Sequence, residues 1–181
     1  MVRKIIGFVA FAATSISFLF FSLWKAPSKV HYAILVLITV PTLFGLLRHW
    51  FECTDCSFPG KHFIMDKNKY FIFISAFIAV VMTWFMNHEM GLGAFVANGT
   101  IGLIAATLLP TVIAGTAYAA SFVGMSSLGI LPNIQAACIA GLVVGIVLVL
   151  TEEIYAGIGG KGGTSAALST HLSRFFIHLL K

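Results

Sequence analysis

"MGLGAFVANGTIGLIAATLLPTVIAGTAYAASFVGMSSLGILPNIQAACIAGLVVGIVLVLT", residues 90–151, contains no Asp, Glu, Lys or Arg. A helix rises about 1.5 Å per residue and needs about 20 apolar residues to cross a hydrocarbon core of about 30 Å, so a stretch this long has to cross more than once. Its internal breaks are Pro110 and the Leu131-Pro132-Asn133 turn. Proline lacks the amide hydrogen that the helix ladder needs and pushes the preceding residue out of helical geometry. These breaks predict three helices, at about 94–109, 112–130 and 133–151.

The rest of the chain has the same character. It is 59% hydrophobic and 9% charged, with a mean hydropathy of +1.00, whereas about a quarter of the residues of a soluble domain are charged. Three further apolar runs, at 5–24, 30–47 and 69–87, predict spans. The first begins after Arg3-Lys4 like a secretory signal, but it is long for one and offers no paired small residues for cleavage, so it reads as a true span. The last segment, 164–180, contains His171, Arg174 and His178. It reads as a short seventh span, with a helix lying in the interface as the alternative. The expected fold is therefore an all-α, polytopic bundle in the inner or plasma membrane, forming one domain over 1–181, with seven spans or six plus an interfacial helix.

Orientation follows from the basic residues, which concentrate on the cytoplasmic side of membrane proteins. Alternating spans put Arg3, Lys4, Arg48, Lys61, Lys67, Lys69 and Lys161 on one side and Lys25, Lys29 and Lys181 on the other. The N-terminus and the loop 48–69 are thus expected inside. The net charge of +5 reflects topology and anionic lipid, and no aromatic-basic platform for nucleic acid is present.

Two glycine-rich loops echo each other. "NHEMGLGAFVANGT" (87–100) and "TEEIYAGIGGKGGTSAAL" (151–168) both run from a carboxylate through Gly-x-Gly to Gly-Thr. Glu89, Gly91, Gly93, Gly99 and Thr100 correspond to Glu153, Gly157, Gly159, Gly163 and Thr164, with a small gap between the two frames. Two units of three helices related in this way would lie upside down relative to each other, as in the inverted repeats of secondary transporters. In this reading each Gly-Thr opens a helix whose free N–H groups face a polar solute or anion. Ordinary interhelical loops are the plainer alternative.

Further polar candidates lie at residues 116–135 of the charge-free stretch. Ala117, Ala120, Ser121 and Gly124 are spaced for close helix packing. Gly124-Met125-Ser126-Ser127 can form an unwound helix end that, with Asn133 and Gln135 opposite, supplies hydroxyl, amide and backbone ligands. Ser126 and His171 lack the glycine context of an intramembrane serine protease, since Ser127 stands where the second glycine of Gly-x-Ser-Gly would be. His88-Glu89 and His31 lie near span ends.

The loop "RHWFECTDCSFPGKH" contains Cys53 and Cys56 between His49 and His62, a set that can hold zinc tetrahedrally. The same Cys-x-x-Cys can instead act as a redox pair in a membrane thiol/quinone oxidoreductase. Such a relay requires a second cysteine pair, and the chain has only Cys138 besides. No loop is large enough for a soluble catalytic domain. The expected function is passage of a small solute or ion, at a site drawn from Glu89, Asn98, Thr100, Ser126, Ser127, Asn133, Glu153 and Thr164. The alternatives are the thiol oxidoreductase and a non-catalytic assembly subunit. A homodimer is the natural assembly for so small a bundle.

Overall fold

A computed structural model describes residues 66–152 and 160–179, together with positions 9, 12–14, 16, 17, 20, 24, 32, 33, 36, 37, 39, 40, 43 and 44. The chain divides into two units, Met1–Ile64 and Met65–Lys181. Every described position of the first unit is helical and falls within the expected segments 5–24 and 30–47. The second unit is built from five helices: α1 (Lys67–His88), α2 (Ala94–Leu108), α3 (Thr111–Gly124), α4 (Ile134–Thr151) and α5 (Lys161–Leu179). No strand occurs among the described residues.

Asp66 starts α1, its side chain accepting from the Lys67 amide at 2.7 Å and so satisfying one of the unpaired donors of the first turn. At the other end Gly91 and Gly93 adopt positive φ (68° and 81°), which L-side chains avoid. The chain thereby reverses within five residues. Proline sets the next break. Leu109 and Pro110 are both extended, with ψ of 150° and 145°, so α2 and α3 are joined by only two residues.

α1 lies at the centre. Its buried stripe, Lys69, Ile72, Ala76, Ala79, Val80, Thr83 and Trp84, repeats every three or four residues and packs chiefly on α3 and α4. Two glycines one helical turn apart make the α4 contact. A Cβ at Gly141 would lie 2.8 Å from Phe77 Cδ2, and one at Gly145 would lie 2.6 Å from Phe73 Cδ2. The pairs Phe77–Gly141 and Phe73–Gly145 also show that α1 and α4 are antiparallel, because one number falls as the other rises. Asn98 bonds Ser121, and Gly102 faces Tyr118, so α2 and α3 are antiparallel by the same test.

The apolar core also takes in small hydroxyl residues, while large apolar side chains lie outside. Thr83, Ser121, Ser169 and Ser173 are fully buried, while Phe95 and Leu108 are 86% and 76% exposed. Small polar residues at helix contacts and large apolar residues outside suit a surrounding of lipid tails. Two helices, Lys67–His88 and Ile134–Thr151, are long and apolar enough to cross a membrane; Ala94–Leu108 and Thr111–Gly124 are apolar but shorter.

Two expectations change. The helix expected over 112–130 stops at Gly124, since the glycine lies directly against the α1 backbone and the chain beyond it turns away. The first Gly-Thr pair does not open a helix: α2 begins at Ala94, so Thr100 lies inside it, whereas Gly163-Thr164 falls in the first turn of α5, which begins at Lys161. The 19-residue α5, which contains His171, Arg174 and His178, is not among the helices long and apolar enough to cross a membrane.

The glycine contacts make a direct prediction. At Gly124 a Cβ would lie 2.5 Å from the Val80 carbonyl oxygen, a backbone atom that cannot rotate away. Gly124→Ala is expected to destabilise the protein by about 2 kcal/mol through overpacking. Nothing lies within 4 Å of a Cβ at Gly99, so Gly99→Ala is expected to be neutral or to stabilise α2 by up to about 1 kcal/mol. Thermal and denaturant unfolding of the two variants in the same detergent checks the contrast.

Candidate functional site

Where α3 stops, the chain crosses the end of α1 as nine residues of non-helical backbone, 125–133. Two side chains of α1, one turn apart, fasten it. Trp84 Nε1 donates to the Leu131 carbonyl at 3.0 Å in a buried bond. His88 Nε2 lies 2.9 Å from the Ser126 carbonyl oxygen. A carbonyl oxygen only accepts, so Nε2 carries the hydrogen here. Asn87 Nδ2 lies 3.1 Å from the same nitrogen, which in this tautomer has no lone pair with which to accept from it. The Trp84 and His88 rings stand 5.2 Å apart at 47°.

Inside the linker, Ser127 O accepts from the amides of Ile130 and Leu131 at 2.9 and 3.0 Å. Leu131 is fully buried, whereas Ser127, Leu128 and Gly129 are exposed. The segment is thus a tight turn with its apolar end pinned beneath it. Asn133 then starts α4: its side-chain oxygen accepts from the Ala136 amide at 2.9 Å.

The structure brings only some of the expected site residues together. Ser126 and Ser127 share the linker. Glu89 caps the C-terminal end of α1, immediately after His88, and is exposed. Asn98 is buried between α2 and α3, where it accepts from Ser121 Oγ, whose hydroxyl also reaches the Tyr118 carbonyl. Thr100 is half-buried in α2. Thr164 belongs to the first turn of α5 and donates to Gly160 O at 3.3 Å. Asn98, Asn133 and Thr164 each spend part of their hydrogen-bonding capacity on the fold itself. Glu153, Cys53, Cys56, His49 and His62 lie outside the described residues. Among the described residues no three His, Cys, Asp or Glu side chains come together to hold a metal ion.

Trp84 and Leu131 were not among the expected site residues. The signal available for them was Trp84 four residues before His88, which puts both rings on one face of α1. The pairing with a carbonyl 47 residues away has no local signature.

Trp84→Phe keeps an aromatic ring but leaves the buried Leu131 carbonyl without its donor. The variant is expected to lose about 2 kcal/mol and to show faster hydrogen exchange at the amides of Ile130 and Leu131. Unchanged exchange in that segment would show that the bond does not hold the linker. Compared with known protein families, characterised proteins and solved structures, the chain matches none.

Proposed function

We propose that the chain is a multi-pass protein of the inner or plasma membrane that passes a small solute or ion, with its site at the 125–133 linker and the neighbouring end of α1. The observation that carries this reading is the early termination of α3 after 14 residues. In hydrocarbon, non-helical backbone persists only where protein covers it or where it lines a water-filled cavity. Broken helices of this kind supply solute and ion sites in secondary transporters. Ser126, Ser127 and Glu89 are the polar side chains at that end, and Trp84 and His88 hold the backbone in place.

The inverted arrangement of seven spans belongs to the same proposal. The first glycine loop follows the C-terminal end of α1 and the second follows that of α4. Because these helices run antiparallel, the loops leave the second unit at opposite ends, as an inverted repeat requires. The cytoplasmic N-terminus and a homodimer complete the reading; the mass of the protein in lipid nanodiscs tests the latter.

Single cysteines at Gly93 and Gly160, in a background lacking Cys53, Cys56 and Cys138, test the proposal. They are expected to react with a membrane-impermeant thiol reagent from opposite sides of sealed vesicles. A cysteine at Ser127 is expected to lose its reactivity when a transported solute is present. Labelling of positions 93 and 160 from one side would end the inverted model. Uptake that survives both Glu89→Gln and Ser127→Ala would remove the site.

A further inference from the structure

The last helix, α5, divides its circumference between two kinds of side chain. Ser165, Ser169, Ser173 and Ile177 follow one another every four residues and are buried, and the helix packs on α4 and α3. The serine hydroxyls are satisfied within the helix: Ser169 donates to Ser165 O and Ser173 to Ser169 O, both at 2.7 Å. On the other side His171, Arg174 and His178 are all exposed. Successive residues of a helix turn by about 100°, so these three fall within about 60° of one another, opposite the serines.

The outward stripe has no counter-charge of its own. No Asp or Glu follows Glu153 in the chain, so α5 supplies no carboxylate to pair with Arg174. Apolar groups border the stripe on one edge. Phe175 and Leu179 are 60% and 67% exposed, and the Phe175 ring stands edge-on to Phe176 with the centroids 5.9 Å apart. From His171 to His178 the stripe rises only about 10 Å, within the C-terminal half of the helix.

The chemistry of this face selects its surroundings. In hydrocarbon an unpaired arginine is costly. In bulk water Arg174 is satisfied, but Phe175 and Leu179 gain nothing from their exposure. The boundary between the two suits both, because cationic heads reach the phosphates there while aromatic and aliphatic neighbours enter the acyl region. A guanidinium matches two phosphate oxygens at once, and an imidazole N–H adds a donor. Charge then chooses among headgroups. A zwitterionic headgroup carries a cation besides its phosphate, and this face has no carboxylate to receive it. An anionic headgroup needs none.

We propose that His171, Arg174 and His178 form a binding face for the headgroup of an anionic phospholipid, with Phe175 and Leu179 against its acyl chains. The proposal goes beyond the reading of the 125–133 linker: it needs a bilayer around the second unit, but neither a solute nor an inverted repeat. Thermal unfolding of the purified full chain in dodecyl maltoside is measured with added phosphatidylglycerol, with phosphatidylcholine at the same mole fraction, and with inorganic phosphate. Phosphatidylglycerol is expected to raise the midpoint saturably by several degrees, phosphatidylcholine less and inorganic phosphate not at all, because a ligand that binds only the folded state stabilises it by mass action. Arg174→Gln is expected to lose most of the phosphatidylglycerol response while keeping the native midpoint without lipid, since the side chain is exposed. Lys67→Gln, which removes an exposed cation from the start of α1, is expected to keep the response.

Equal midpoints for the native chain in the two lipids would overturn the site, whatever the variants do. So would a phosphatidylglycerol response that Arg174→Gln retains in full, or one that Lys67→Gln loses to the same degree, which would make it an effect of overall charge. An equal shift with inorganic phosphate would give the face to a free anion and overturn the lipid assignment. Loss of dimer mass in Arg174→Gln without any lipid response would give the face to a second copy of the chain and overturn it as well. One-sided labelling at positions 93 and 160 bears on the inverted arrangement alone, so the two proposals fail separately.

Discussion

Three glycines let other helices close on α1, two of them on its backbone, and the rest of the second unit depends on that approach. Gly124 meets the Val80–Trp84 turn, while Gly141 and Gly145 meet Phe77 and Phe73. Between helices in lipid there is no hydrophobic drive to hold the contact, because lipid tails are as apolar as leucine. Dispersion and close-range backbone contacts have to supply it, and both fall steeply with distance. A single added methyl group therefore acts on the part of the energy that keeps the helices together. The same closeness at Gly124 brings the end of α3 within reach of Trp84, so the geometry of the linker follows from the packing.

The sequence makes the helices legible and leaves their contacts largely hidden. The lack of charge over 90–151, with proline at 110 and 132, marks α2, α3 and α4 to within a few residues at most ends. It fails at 125–130 because Ser, Leu, Gly and Ile are all compatible with an apolar helix, and the close approach of Gly124 to α1 has no local signature. Gly141-Leu-Val-Val-Gly145 is a small-xxx-small pattern in plain sight, yet the pattern does not say which helix it faces. Glycine loops and Gly-Thr pairs were weaker guides still. Threonine starts helices well, but a turn that uses Gly93 starts α2 a full six residues before Thr100.

The candidate site was legible in part and for the same reason. Ser126 and Ser127 stand out as hydroxyls beside a proline turn, and the structure places them in irregular backbone. Trp84 and Leu131 do not stand out, since their importance lies in a hydrogen bond between distant segments. Asn98 and Asn133 look like ligands from sequence, but polar groups inside an apolar bundle first have to satisfy one another. Asn98 does so with Ser121, and Asn133 with the first turn of α4.

The two-residue link between α2 and α3 leaves that pair of helices without a charge of its own. With Asn98 bonded to Ser121 and Gly102 against Tyr118, these helices form a hairpin whose tip, Leu109-Pro110, holds no ionisable group. In the membrane reading proposed above, nothing charged would have to be carried through the bilayer for the hairpin to insert, and nothing charged would resist its sliding back. Which way it faces would then be decided outside it, by basic residues such as Lys67 and Lys69 in the first turn of α1 and Lys161 at the start of α5.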